Sequence, residues 1–407
     1  MFRRLVLISW RNVLRNKRRT VITGLAIGTG LAAMMFSDAL YAGMNEYTAH
    51  SVTTTWMGEA QIHTEGFLET ARVSLTIDSV QQVTQMLRND SSVAAFTGRL
   101  ISPASLQSAT QMKPVTLIGV DYLTDSRITM LEAATATGCY LSGDSMELII
   151  GSKLAEDMSL ALGDVAVVTA SMADSGFAAR LFRVSGISTF GSDQYDRYTV
   201  FVNIGSAESL LNLQDELHEI AVVFTDPEMA INSRNSFWSR FSLWGNTAEG
   251  WLTLSPQISS LTQMTDASLG IQAAILFGLV LFGIINSLFM SVYERMYEFG
   301  VMKAIGSSKH TVTAMVLLEA FWLGVAGSVI GVLLGYGVIQ YFAVAGISFG
   351  EFDFSGIMFD KPIYTIADWS KLWKYPVATL VFTTLAGVYP GIHAGNLNPS
   401  RAMRKSL

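Results

Sequence analysis

Residues 291–324, SVYERMYEFGVMKAIGSSKHTVTAMVLLEAFWLG, decide how this chain is to be read. A patch bearing Glu294, Arg295, Glu298, Lys303 and Lys309 interrupts what is otherwise one long apolar run. Helical spacing puts Glu294, Glu298 and Met302 on one face, beside an apolar face of Tyr293, Tyr297, Val301 and Ala304. Gly306 is placed to end such a helix, and Ser307-Ser308 to cap the next one. The pattern predicts a short amphipathic helix lying at a membrane surface between two spanning helices. Its charges have both signs, which suits a protein partner better than an anionic lipid surface.

The rest of the sequence agrees with a membrane setting. The chain has 407 residues, is 50% hydrophobic, has a mean hydropathy of +0.37 and is only 15% charged. A soluble domain carries about 25% charge. A spanning helix needs roughly 20 mostly apolar residues, and four stretches qualify: 21–45, 266–292, 310–344 and 375–395. Asp38, Glu319 and Pro390 interrupt three of them, which is tolerated near a helix end or against a protein-lined cavity. The first apolar run follows a long basic segment and lacks a small-residue cleavage site. It is therefore expected to stay as a helix and not to be cut as a signal peptide.

Basic residues set the expected orientation. Arg3, Arg4, Arg11, Arg15, Lys17, Arg18 and Arg19 precede the first span, and Arg401, Arg404 and Lys405 follow the last. With the positive regions inside, 1–20 is a cytoplasmic basic amphipathic segment, 293–309 the cytoplasmic connector and 396–407 a cytoplasmic tail. Segments 46–265 and 345–374 then lie outside and carry the acidity behind the net charge of −6. Nothing in this balance points to nucleic acid. The single cysteine, Cys139, excludes an intramolecular disulfide.

Segment 46–265 reads as an α+β domain, in two lobes. AQIHTEG, KPVTLIGVD, MELIIG, GDVAVVTA, RLFRVSGIS, YTVFVNI and HEIAVVFTD are short β-favouring runs bounded by Gly, Asp or Ser. Helices are expected over Ser79–Arg88, Ser152–Leu160, Ala207–Leu213 and Ala230–Phe241, the last opened by DPEMA. Glu46 to Trp56 holds no Gly or Pro, and 256–270 has no turn signal after Pro256, so both flanking spans are expected to run on as helices.

Chemistry is missing where an enzyme needs it. There is no G-x-x-x-x-G-K-[ST], H-E-x-x-H or C-x-x-C. His50, His63, His218, His310 and His393 are scattered, and no nucleophile stands with a base, so neither a metal site nor a catalytic site is expected. Gly24 and Gly28, and Gly324, Gly327, Gly331 and Gly335, recur at three or four residues, which favours close packing of spanning helices.

ERMYEFGVMKAIGSS (294–308) with LLEAFWLG (317–324) resembles the hallmark of FtsX-like ABC transporter permeases of the MacB and lipoprotein-releasing LolC/LolE type. SWRNVLRNKRRTVIT (9–23) and VYPGIHAGNLNPSRAMR (388–404) are similar to the ends of that family. Weaker likeness lies in LIIGSKLAEDMSLALGDVAVV (148–168) and GISTFGSDQYDRYTVFVNI (186–204). The resemblance implies four transmembrane helices with a large periplasmic α+β domain between the first and second, in a bacterial inner membrane. It implies that 293–309 is a coupling helix whose Glu294, Arg295, Glu298, Gly300, Lys303, Ala304 and Gly306 contact a cytoplasmic ABC ATPase dimer. ATP and Mg2+ would bind that partner and not this chain.

A second permease copy, identical or related, is implied, and a periplasmic or outer-membrane partner is possible in this family. The implied work is mechanotransmission that extracts or exports lipoprotein or another amphiphile. A non-transporting mechanical signalling protein and a MacB-like efflux permease are the alternatives. A transporter of acylated cargo needs an apolar cavity, for which Met34, Met35, Phe36, Phe277, Leu281 and Phe289 are the candidates. The loop at 188–199 has no proline-rich hook of the kind by which LolC captures its chaperone.

Overall fold

The computed structural model describes residues 2–398 except 175, 233, 351, 355–356 and 360. Arg401, Arg404 and Lys405, and part of the 345–374 segment, lie outside the described residues. Backbone contacts divide the chain into a helical unit (1–46, 262–348 and 362–407) and a sheet-bearing unit (47–261 and 349–361).

Helix α1 (Phe2–Arg15) and helix α2 (Lys17–Val52) open the chain. They part at Asn16, whose carbonyl accepts from the Thr20 amide, while the Thr20 hydroxyl donates back to the Val13 carbonyl at 2.6 Å. With no Gly or Pro from residue 46 on, α2 continues past its apolar stretch into polar sequence. It widens into a π-turn at Thr53–Met57, closed by Gly58 at φ +74°. Thr53, Thr54 and Thr55 each donate a hydroxyl to the carbonyl four residues back, at 2.6–2.8 Å. Such back-bonding competes with the helix ladder and loosens it.

Between residues 47 and 261, the described residues of the sheet-bearing unit form ten strands: β1 (Ala60–Thr64), β2 (Val93–Gln107), β3 (Met112–Val120), β4 (Thr135–Gly138), β5 (Glu147–Gly151), β6 (Val165–Ser171), β7 (Phe177–Ser188), β8 (Thr199–Asn203), β9 (Glu219–Phe224) and β10 (Asn246–Gly250). Its helices are α3 (Phe67–Thr70), α4 (Val80–Asn89), α5 (Tyr122–Asp125), α6 (Leu131–Ala134), α7 (Ser152–Met158), α8 (Asp193–Tyr198), α9 (Ile204–Leu211), α10 (Ser236–Phe241) and α11 (Trp251–Leu254).

Pairing runs β10-β1-β9-β2-β3-β8-β5-β7-β4, and β6 bridges β2 and β7. The strands β2-β3-β8-β5-β7-β6 therefore close into a small barrel. In β6, Ala166, Val168 and Ala170 are buried while Val165, Val167 and Thr169 are less so, the two-residue period of a strand with one face inside. Leu106, Leu117, Leu148, Phe182 and Val200 fill the same core.

β2 belongs to both parts of the sheet. Val93–Arg99 pairs with β9, and Ala104–Gln107 pairs with β6 on the same edge. One 15-residue strand therefore runs through both parts of the sheet. Where β2 changes neighbours, His218 fills in. The Ile101 amide donates to its Nδ1 at 2.9 Å, and its Nε2 lies 2.9 Å from the Val73 carbonyl. That arrangement requires a neutral ring with the proton on Nε2, and burial pushes the His218 pKa down in agreement. Pro103 falls in the same gap, so its missing N–H removes no ladder bond on that edge.

Two local expectations are corrected. The helix expected over Ala230–Phe241 is two pieces, a 3-10 turn at Pro227–Ala230 capped by Asp226 and α10 capped by Asn235. Strands β2, β4 and β10 were not expected at all.

The helical unit resumes with α12 (Pro256–Glu294), α13 (Met296–Ala304), α14 (Lys309–Ala345), α15 (Trp369–Ala386) and α16 (Val388–Gly395). A two-stranded β-ribbon, β11 (Phe352–Phe354) with β12 (Ile357–Phe359), lies between α14 and α15 in the chain. Among the described residues, Lys17–Met57, Pro256–Glu294, Lys309–Ala345 and Trp369–Gly395 are long and apolar enough to cross a membrane. The glycines of α14 bring it against α2. A Cβ on Gly327 would meet Ile27 at 2.5 Å, and one on Gly331 would meet Leu31 at 2.8 Å. Small residues on facing helices let the backbones approach, as the sequence pattern indicates.

Candidate coupling surface

The connector between α12 and α14 is built by local signals. α12 stops at Glu294 because Arg295 leaves helical geometry at φ −112°, ψ 18°. α13 ends where Gly306 adopts φ +100°, with the Ser307 amide donating to the Met302 carbonyl at 2.9 Å. That backbone turn is open to glycine at little cost. Ser308 then caps α14 by accepting from the Thr311 amide at 3.3 Å. Phe299 anchors α13 in a cluster of Val292, Val312, Met315, Val316 and Ala394.

The charges of this segment face one another across the helical unit. Glu319 of α14 is 2% exposed and accepts from Ser291 at 2.8 Å, Arg19 at 3.2 Å and Arg295 at 3.4 Å. Arg19 also donates to Glu294 at 2.9 Å, and Asn16 reaches the same carboxylate at 3.2 Å. Arg295 is 6% exposed and donates through Nε to Glu298 at 2.7 Å. Arg15 closes the circuit on Glu298 at 2.9 Å. Burial opposes the Glu298 carboxylate, but hydrogen bonds from Arg295 and Arg15 outweigh it and hold its pKa below the usual range.

One network therefore ties the end of α1, the start of α2, the end of α12, α13 and the middle of α14. Lys303 adds the end of α16 by donating to the carbonyls of Gly395 at 2.7 Å and Leu397 at 2.6 Å.

This changes the reading of the predicted contact residues. Arg295 and Gly300 are buried, Lys303 serves as a cap for α16, and Glu294 and Glu298 are paired within the chain. Ala304 and Gly306 are exposed, as is their neighbour Ile305 at 79%, together with Tyr297 and Lys309. The open face of α13 carries Tyr297 and Ala304 beside the part-exposed Arg15–Glu298 pair, while the buried Arg295–Glu319 contact holds its start from the inner side. Arg15, Arg19, Ser291 and Glu319 were not among the predicted residues. The available signal was Glu319 itself, because an acid inside an apolar span needs a partner.

The predicted cargo-facing residues do not line a single cavity. Phe277 and Leu281 line a groove of about 710 Å³ between α12 and α15–α16, with Phe277 stacked on Phe382 at 4.9 Å. Met34 lines a second, mostly apolar cavity of about 180 Å³ and meets Phe277 across a narrow gap between α2 and α12. Met35 is buried against α14, Phe36 packs on Phe342 at 5.5 Å, and Phe289 packs on Tyr389 at 5.4 Å.

The sheet-bearing unit has its own charged centre, beside the π-turn. Arg99 is fully buried and donates to the Glu219 carboxylate at 2.6 Å and to the Trp56 carbonyl at 2.7 Å. Its guanidinium lies 3.7 Å from the centre of the Trp56 ring, and Asp125 is 3.6 Å away. Burial pushes the Asp125 pKa up, and Arg99 works against that rise. Among the described residues no cluster of His, Cys, Asp or Glu is arranged to hold a metal.

Residues 20–232, just over half of the chain, match the family described as MacB-like periplasmic core domain. Residues 270–399 match the family described as FtsX-like permease C-terminal. The chain is similar to the lipoprotein-releasing system transmembrane protein LolC of Xylella fastidiosa, 20% identical over 80% of this chain and 81% of that one. It is similar to the macrolide export ATP-binding/permease protein MacB of Chlorobium phaeobacteroides, 22% identical over 97% of this chain and 60% of that one. An ABC transporter permease of Methanocaldococcus jannaschii is 27% identical over 55% of each chain, so this chain matches about half the length of that relative.

Proposed function

Because this chain belongs to the FtsX-like permeases with a MacB-like periplasmic core domain, ABC transporter permeases of the MacB and LolC/LolE type, we propose that it works by mechanotransmission. In this reading a separate cytoplasmic ATPase dimer, holding ATP and Mg2+, docks on the open face of α13. Two permease copies pair, and their approach drives the outer domains to extract or export a lipidated or amphiphilic cargo.

The observation that carries the reading is the mounting of α13. It offers Tyr297, Ala304 and Ile305 outward with the part-exposed Arg15–Glu298 pair beside them, while Arg295, Arg19 and Glu319 tie its start to α2 and α14. A push on α13 is then passed to α1 through Arg15 and to α2 and α14 through Arg295, Glu319 and Arg19. Arg15, from the basic segment, and the end of α16 both meet α13, which supports a common cytoplasmic position for the three segments.

The test is Ile305→Glu. A charge set in a desolvated apolar contact is costly, so the variant is expected to insert normally and to lose at least about tenfold in ATPase co-purification. Full retention of the ATPase by a correctly inserted Ile305→Glu chain contradicts docking on this face.

A further inference from the structure

Helix α1 has two faces of different character. Leu5, Ser9 and Val13 stand four residues apart and turn inward. Leu5 packs in the cluster that holds Phe299, and the Ser9 hydroxyl donates to the Met315 carbonyl at 3.2 Å. Val13, 2% exposed, joins Ile284, Leu288 and Ala320. Arg3, Leu7, Arg11 and Leu14 share the opposite face by helical spacing, and all four are exposed, Leu7 by 54% and Leu14 by 48%. Trp10 and Ile8, also exposed, flank that face.

The charges of the two faces are used differently. Arg15 and Arg19 are paired with Glu298, Glu294 and Glu319. Arg3 and Arg11 enter no ion pair among the described residues, and the first acid in the sequence is Asp38. The outward face of α1 therefore sets two unpaired guanidiniums among large apolar side chains. Water would leave those apolar groups wet in one patch.

The height of α1 along the helical unit names what meets this face. It touches α14 at Met315 and at Trp322, where the rings of Trp10 and Trp322 have centres 4.7 Å apart. Those contacts lie roughly 9 and 20 Å beyond Lys309 at 1.5 Å per residue. α14 has 37 residues, and its length of roughly 55 Å exceeds a hydrocarbon core of about 30 Å. The contacts thus cover the stretch where α14 enters the bilayer, the level that tryptophan favours. Arginine stems there lie along apolar surface and lift their charge to the headgroups.

We propose that the outward face of α1 binds anionic phospholipid of the cytoplasmic leaflet. Arg3 and Arg11 stand about 12 Å apart along the helix, so each donates to the phosphate of its own lipid. Leu7, Leu14 and the Trp10 ring lie against the first carbons of the acyl chains. The proposal rests on the membrane-spanning reading of α2 and α14 and on the N-terminal segment being cytoplasmic. It assigns a lipid partner to a surface other than the open face of α13.

The test uses the purified, delipidated full-length chain and native mass spectrometry, with phosphatidylglycerol and phosphatidylcholine of the same acyl chains as probes. Choline cancels the charge of its own phosphate, so the pair isolates the effect of net negative charge. Phosphatidylglycerol is expected to be retained about tenfold better, the size of effect that one or two basic residues at a lipid surface give. The double variant Arg3→Gln, Arg11→Gln is expected to erase that preference. Arg88→Gln, Arg127→Gln removes the same charge from exposed positions of the sheet-bearing unit and is expected to keep it. Equal retention of the two lipids by the wild-type chain overturns the proposal without reference to any variant. So does a preference that survives Arg3→Gln, Arg11→Gln. If that variant keeps the preference and loses the ATPase instead, the face belongs to the ATPase. The lipid measurement contains no ATPase, so its failure leaves docking on α13 untouched, and loss of docking in Ile305→Glu leaves the lipid result untouched.

Discussion

Arg99→Met is expected to cost the sheet-bearing unit about 3–5 kcal/mol, the penalty for leaving one side of a buried ion cluster unpaired. Arg99, Asp125 and Glu219 are all essentially inaccessible, so their charges have no water to fall back on. Removing the guanidinium strands two carboxylates and frees the Trp56 carbonyl at the π-turn. It also removes the cation over the Trp56 ring, so a change in tryptophan emission accompanies the loss. Urea unfolding of the detergent-solubilised chain, followed by tryptophan fluorescence, reads both effects. Replacing Arg99, Asp125 and Glu219 together by Met, Leu and Met is expected to recover part of the loss, because apolar groups of similar volume require no pairing. A loss below about 1 kcal/mol for Arg99→Met contradicts the assignment of this cluster as the anchor of the π-turn.

Glu319→Ala is the second large effect. Arg19 and Arg295 converge on this carboxylate inside the helical unit, and Ser291 donates to it as well. Without it two guanidiniums confront each other with one fewer carboxylate between them, a cost below the roughly 3–5 kcal/mol of a fully unpaired buried charge. Glu294 and Glu298 remain to hold the two arginines, so α13 is expected to loosen and not to unfold. Hydrogen exchange of the α13 amides is expected to rise by at least about tenfold, with stimulation of the ATPase by the permease falling in parallel. Glu319→Gln keeps an acceptor for Ser291 and is expected to fall between. Unchanged exchange in Glu319→Ala contradicts the claim that this residue mounts the coupling helix.

Much of this architecture is written locally, and the parts that are not share a cause. The runs centred on VAVVTA and TVFVN show two-residue alternation or continuous apolar character, and they became β6 and β8. β2, VAAFTGRLISPASLQ, carries Gly98, Pro103 and three serines or threonines on its length, so no alternation marks it. It is a strand because β9, β3 and β6 supply partners, which no local pattern records. β4 and β10, TATG and NTAEG, are edge strands with almost no apolar content. The helix expected over 230–241 failed because Asn232 and Asn235 bond their own neighbouring amides and favour caps over helix interiors.

At the candidate site the charged patch was legible but its partners were not. Arg15 and Arg19 stand some 275–283 residues from Glu294 and Glu298 in sequence. Glu319 read as a flaw in a span, and the structure makes it the centre of the network.

Mechanotransmission is tested most directly by cross-linking along the two helices that leave the spans. Single cysteines are placed along 45–50 of α2 and 259–266 of α12 in a Cys139→Ser chain, which removes the one native thiol. The complex is assembled with an ATPase partner that binds but does not hydrolyse ATP, and is oxidised with and without nucleotide. The account predicts that positions in these segments cross-link two permease copies more strongly with ATP bound, and that locking them stops transport while ATP binding survives. If cross-linking at every position in both segments is the same with and without ATP, the helices do not transmit the stroke, and the mechanism fails.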